Sequence, residues 1–139
     1  MRLTYPLQLV LAFHLLGACQ SSDMTQKQTD NMNLTKKLHK HLNRQDWRAV
    51  EELCAEKLHY RGRATHFVDV EESKARFVRR YQTLLTKAKP FEIRQLYPAG
   101  LYHVIVEGTV EDERPDSSLA VCLIYTIEDK HITRLYAYE

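Results

Sequence analysis

The spacing of apolar residues changes several times along this chain, and each change marks a different kind of segment. Leu7 to Leu16 is a nearly unbroken apolar run, interrupted by Gln8 and His14, whereas residues 20 to 33 are almost entirely polar. From Asn33 onward Leu34, Leu38, His41 and Leu42 share one face at three- and four-residue spacing, which predicts a short basic helix. Asp46 stands where it can cap a second helix that buries Trp47, Val50, Leu53 and Cys54. Asp69-Val70-Glu71-Glu72 has the form of an acidic capping box. It predicts a long helix carrying Phe77, Val78, Tyr81, Leu84, Leu85 and Ala88 on one side and stopped by Pro90. A short strand around His59 to Arg61 falls between the second and third helices.

Beyond Pro90 the period becomes two. Phe91, Ile93 and Tyr97 alternate with charged residues, Pro98-Ala99-Gly100 makes a turn, and Tyr102, Val104, Val106 and Val110 form one face of the next strand. Pro115-Asp116-Ser117 is a second turn. The strand from Leu119 to Ile127 is apolar on both faces, and after Asp129-Lys130 a last strand carries Ile132, Leu135 and Tyr136. Its register is open, because Ile132, Tyr136 and Tyr138 alternate to one side and Leu135 to the other. Helices followed by an antiparallel meander give an α+β fold. An antiparallel sheet usually leaves one face wet. A strand apolar on both faces therefore predicts a homodimer through the convex face.

Composition narrows the picture modestly. The 139 residues, 44% hydrophobic, suffice for one domain. Lysine plus arginine number 20 against 18 acids, and setting aside Arg2, the one charged side chain before residue 19, leaves 19 against 18. Arg76, Arg79 and Arg80 cluster, but Glu71 and Glu72 precede them on the same predicted helix, so they read as a solvated face and no nucleic-acid partner is expected.

The leading apolar run is too short to span a membrane, which takes about 20 residues, and follows a positive start at Arg2, as in a signal peptide. It ends in Leu16-Gly17-Ala18-Cys19, which resembles the lipobox of bacterial lipoproteins: a branched aliphatic residue, two small residues and a cysteine. That resemblance implies cleavage before Cys19, a diacylglycerol on its thiol and acylation of the new amino terminus. Cys19 would then anchor the chain to a lipid membrane of the cell envelope. Gln20 in place of aspartate implies, by the same resemblance, the outer membrane. The expected organisation is a signal peptide over 1–18, a lipidated flexible tether over 19–32 with a reach of roughly 20 Å, and a folded domain over 33–139.

The helix-helix-strand-helix-meander order, with Asn43-Arg44-Gln45-Asp46-Trp47 before the second helix and Ile132-Thr133-Arg134-Leu135-Tyr136-Ala137-Tyr138 at the end, resembles the nuclear transport factor 2-like superfamily, which includes SnoaL-like proteins. The resemblance implies a cone: a curved sheet wrapped around a long helix, with a pocket at the open end. That fold carries isomerases, dehydratases, hydrolases and cyclases as well as binding modules, so it does not fix function.

Enzymes resembling it pair a carboxylate or histidine base with a tyrosine or protonated acid. Here Glu107 alternates with Val104 and Val106 and should point outward, and no motif places His59, His66 or His103, so no catalytic residue is assigned. His39 and His41, two apart, lie on different faces of a helix, and neither a metal site nor a cofactor is expected. Tyr60, Tyr81, Tyr97, Tyr102, Tyr125 and Tyr136 either fill a small cone or ring an apolar cleft. In the second case they are the lining residues for a small apolar or aromatic ligand. Cys54 and Cys122 either bridge or remain two buried thiols. The reading that results is a membrane-anchored, non-catalytic module that binds a small ligand or a protein partner, with a pocket enzyme as the alternative.

Overall fold

A computed structural model describes residues 24–85, 91–111 and 118–138. The first element of the described residues is α1 (Gln26–Asn43), which starts about two turns earlier than the apolar stripe suggests. Thr25 and Gln28 form a reciprocal capping box, Thr25 Oγ1 accepting from the Gln28 N–H at 3.2 Å and Gln28 Oε1 from the Thr25 N–H at 2.9 Å. Residues 26–32, expected as tether, are therefore helical. Their polarity is deceptive because two of the buried side chains on α1 are polar and bonded: Asn31 Nδ2 donates to the Leu101 carbonyl at 3.0 Å, and Thr35 Oγ1 to the Asn31 carbonyl at 2.9 Å. The buried stripe is Asn31, Thr35, Leu38, His39 and Leu42. At its end Gln45, at φ 56°, gives its N–H to Leu42 while the Asp46 N–H reaches the His41 carbonyl, a Schellman closure with glutamine where glycine is usual. Asp46 then caps α2 (Trp47–Glu52), accepting from Ala49 at 3.3 Å.

Cys54, expected on the second helix, instead begins strand β1 (Cys54–Arg61), since the Leu53 carbonyl is taken by the Ile132 N–H. A one-turn 3₁₀ helix (Arg63–Thr65) leads to β2 (Val70–Ser73), which pairs antiparallel with β1. Strand pairing takes the backbone groups that the acidic cap would have used. The third helix, α3 (Lys74–Leu85), therefore starts later, with Ser73 Oγ accepting from Arg76. Among its described side chains Phe77, Val78 and Tyr81 are buried, and the expected stripe residues Leu84, Leu85 and Ala88 lie outside them. The stop expected at Pro90 lies outside the described residues.

Four further strands, β3 (Glu92–Ala99), β4 (His103–Glu111), β5 (Ser118–Glu128) and β6 (His131–Tyr138), complete a six-stranded sheet of order β2-β1-β6-β5-β4-β3. Only β1 and β6 run parallel. Register shifts in β3, in β6 and between β1 and β6 curve the sheet. The shift in β6 also settles its register: Thr126 faces Arg134 but Ile127 faces Ile132, so Thr133 is the extra residue. One bulge thus lets Ile132 and Leu135 both face the core, and turns Tyr136 and Tyr138 outward. The concave side, built from Leu58, Tyr60, Val104, Val106, Val121, Leu123, Tyr125, Ile127, Leu135 and Ala137, is closed by Leu38 and Leu42 of α1, Val50 of α2 and the α3 face. Gly108 lets this happen, because a Cβ there would collide with the Phe91 ring and the Glu92 carbonyl.

Candidate functional site

The cone interior carries a line of three polar side chains. Tyr81 on α3 and Tyr125 on β5 join hydroxyl to hydroxyl at 3.1 Å, and the Tyr125 hydroxyl lies 3.1 Å from Nε2 of His39 on α1. Each is delivered by a different element: the α3 stripe turns Tyr81 inward, the alternation of β5 turns Tyr125 inward, and the α1 stripe presents His39. Aromatic rings pack around them. The His39 ring lies 4.9 Å from Phe91 and edge-on to Tyr125 at 5.7 Å, and Phe77 packs edge-on against Tyr81 at 5.1 Å.

Burial sets the protonation of this line. His39 is 2% exposed, and loss of hydration lowers its pKa to about 4. Burial likewise pushes Tyr125 up, and pushes Tyr81 well up with a further push from Tyr125. All three groups are neutral at pH 7. His39 Nδ1 has no hydrogen-bond partner among the described residues. Whichever tautomer is present, one polar atom of the line is unpaired: an N–H if Tyr125 donates to Nε2, a lone pair if Nε2–H donates to Tyr125.

A neutral imidazole whose conjugate acid has a pKa near 4 is a weak base at pH 7, since effective general bases titrate near the working pH. The fully buried carboxylate, Glu72, is not available to the line. Arg80 holds it with Nη2 at 2.7 Å and Nε at 3.3 Å, and Arg76 Nε stands at 3.7 Å. The Arg80 guanidinium, itself raised by that bond, lies 4.7 Å over the Tyr60 ring. These arginines, expected as a solvated face, are in part a buried ion pair, because Glu72 sits on the inward side of β2 opposite Leu58. Space is also short: Tyr125 and Phe77 have no solvent-exposed surface, so a ligand reaching the line would have to displace side chains.

Of the six tyrosines expected to line a cleft, the structure brings Tyr60, Tyr81 and Tyr125 inside. The other three are outside. Tyr97 is on the outer face, donating to Glu107 at 2.8 Å, a bond that raises its pKa. Tyr102 stands in the β3–β4 turn beneath Lys27 Nζ, 3.8 Å from its ring centre. Tyr136 is turned outward by the β6 bulge and donates to Asp69 at 3.2 Å. His59 pairs with Asp69 at 3.2 Å, His103 with Thr126 at 3.1 Å, and His66 is exposed in left-handed backbone. None belongs to the interior line. Cys54 and Cys122 are both free. One faces Ile132 and the other Tyr138 along β6, six residues apart, or roughly 20 Å, beyond any bridge. Among the described residues no three histidine, cysteine or acidic side chains are grouped to hold a metal.

His39 was the residue that pattern reading missed. Its signal was present in Thr25-x-x-Gln28, a capping box that starts the helix early and places Asn31, Thr35, Leu38, His39 and Leu42 on one face.

The profile of the SnoaL-like domain family matches residues 35–135. No curated protein matches the sequence. Among solved structures, an NTF2-like protein from Cytophaga hutchinsonii superposes with a TM-score of 0.63 at 18% identity, over 78% of this chain and 88% of that one. An LEH-like epoxide hydrolase from M. tuberculosis gives 0.65 at 16% identity, over 81% and 84%. A cystatin-fold protein from Novosphingobium aromaticivorans gives 0.64 at 17%, over 78% and 97%. At these identities the likeness is one of fold.

Proposed function

Because the chain belongs to the SnoaL-like domain family, whose fold serves unrelated tasks, its role has to be argued from its own side chains, and we propose that it is a non-catalytic, lipid-anchored envelope protein that works through the outer face of its sheet. The observation that carries this reading is the contrast between the two faces. The concave side is closed: Tyr125 is 0% and His39 2% exposed, and the inward Glu72 carboxylate is taken by Arg80. The convex side instead holds a contiguous half-exposed patch. Ile124 faces Ile105 on one neighbour and Tyr136 on the other, and Cys122 faces Glu107 and Tyr138. We infer that a second copy of the chain covers this patch, and that Cys19 carries the lipid. Among the described residues no helix is long and apolar enough to cross a membrane.

The test is light scattering of the mature protein at tens of micromolar. A dimer mass is expected, falling to a monomer in Ile124→Lys with an unchanged circular dichroism spectrum; a monomeric parent would overturn the reading. Palmitate labelling that is equal in the parent and Cys19→Ser would overturn the anchor.

A second reading, a pocket enzyme or small-ligand binder of the same fold, is favoured by the unpaired His39 Nδ1, which a ligand group could satisfy. Thermal stabilisation by a small carbonyl or phenolic compound, lost in His39→Phe, would support it over the first.

A further inference from the structure

Exposed apolar side chains gather where the described chain begins. Met24 is 45% exposed, Leu101 49% and Tyr102 45%. Leu101 and Tyr102 form the β3–β4 turn, and the start of α1 is fastened to that turn: Gln28 Nε2 donates to the Gly100 carbonyl at 3.0 Å and Asn31 Nδ2 to the Leu101 carbonyl at 3.0 Å. On the far side the Ile127 N–H holds the Tyr102 carbonyl at 2.8 Å, so the turn is braced to both helix and sheet. Lys27 lies over the Tyr102 ring and has no carboxylate partner among the described residues. The acid one turn away, Asp30, receives the Gln26 amide at 2.7 Å.

An aliphatic side chain, an amphipathic phenol and a lysine at one braced edge have the chemistry of a membrane interface. The length of chain before the edge names the bilayer. Four residues lie between Cys19 and Met24, so even fully extended the five Cα–Cα steps reach at most about 18 Å. A lipid on Cys19 therefore keeps this end of the domain within about 18 Å of the membrane, close enough to touch it but not held against it. We propose that Leu101 and Tyr102, with Met24 and Lys27, are a docking foot that rests in the headgroup region of the phospholipid bilayer, fixing the domain's orientation. The inference rests on acylation of Cys19 and goes beyond it: a tether alone would let the domain turn freely.

The molecule supplies its own control. Phe67 and Val68, 45% and 60% exposed, follow the far end of β1, a strand of eight residues and roughly 25 Å. Its near end, Cys54, pairs with Ile132, which also faces Ile127 beside the turn. If exposed apolar residues entered lipid indiscriminately, both ends would do so.

The full mature protein carrying Cys122→Ser and either Leu101→Cys or Val68→Cys would be labelled with bimane and reconstituted in phosphatidylcholine/phosphatidylglycerol vesicles containing nitroxide lipid. Acylation would be read from the intact mass of the same samples. Quenching about threefold stronger at position 101 than at 68 is expected for an interfacial site. Adding Tyr102→Asp should lower the value at 101 to that at 68 without altering the melting temperature, since the side chain is exposed. Equal quenching at both positions in acylated, vesicle-bound protein would overturn the foot and leave the anchor standing. A mass without acyl chains would overturn the anchor and the foot with it.

Discussion

His39 makes stability depend on pH in a way that one substitution should remove. The group titrates near 4 when folded and near 6.5 as a free side chain. Between those values the unfolded chain binds a proton that the folded protein does not, so stability falls as pH drops from 6.5 toward 4 and this contribution then levels off. A difference of about 2.5 units at 1.36 kcal/mol each amounts to about 3 kcal/mol, or roughly 12 °C in melting temperature for a domain of this size. His39→Phe deletes the titrating group and the unpaired Nδ1 while leaving Tyr125 bonded to Tyr81, so at pH 7 it should be neutral or mildly stabilising. Tyr125→Phe should do the opposite at the same pH, stranding Nε2 and the Tyr81 hydroxyl at a cost of about 2–4 kcal/mol. The assay is urea unfolding followed by circular dichroism from pH 7.5 down to about 4, comparing the His39→Phe curve with the parent so that surface carboxylates cancel. Parallel curves for the two proteins would refute the argument, because they would mean that His39 is hydrated or paired in solution.

Two further outcomes follow from buried charge and backbone strain. Arg80→Met leaves the Glu72 carboxylate buried with only Arg76 nearby, and should cost about 3 kcal/mol in urea unfolding. Gln45→Gly relieves left-handed backbone at the end of α1 and should raise stability by about 0.5–1 kcal/mol, read as a higher denaturant midpoint at constant slope.

The pair of tyrosines inside the cone and the histidine beside them illustrate how partial the pattern signal was. Tyr81 was legible as an inward-facing candidate, since it sits on a helix stripe, whereas Tyr125 lies on a strand apolar on both faces, which did not say which way it points. Tyr97 and Tyr102 were not separable from them: the first is in phase with Phe91 and Ile93 along the sequence and is put on the outer face by the register shift in β3, and the second lies in a turn. His39 was hidden by polar neighbours. Asn31 and Thr35 look like solvent-facing residues until the carbonyls of Leu101 and Asn31 are seen to satisfy them, and only then does the buried stripe of α1 run through His39.

The amino-acid sequence by itself determined the two periodicities, the α+β order, the α2 cap at Asp46 and the resemblance to cone folds, because these depend on residues close together along the chain. The tertiary structure alone decided which face each side chain occupies where the period breaks. The extra residue Thr133 turns Leu135 in and Tyr136 out, pairing of β2 with β1 replaces an expected helix start with a strand and buries Glu72, and helix α1 meets the β3–β4 turn across some seventy residues. Each of these is fixed by hydrogen bonds or packing between segments distant in sequence, whose energy no local spacing records.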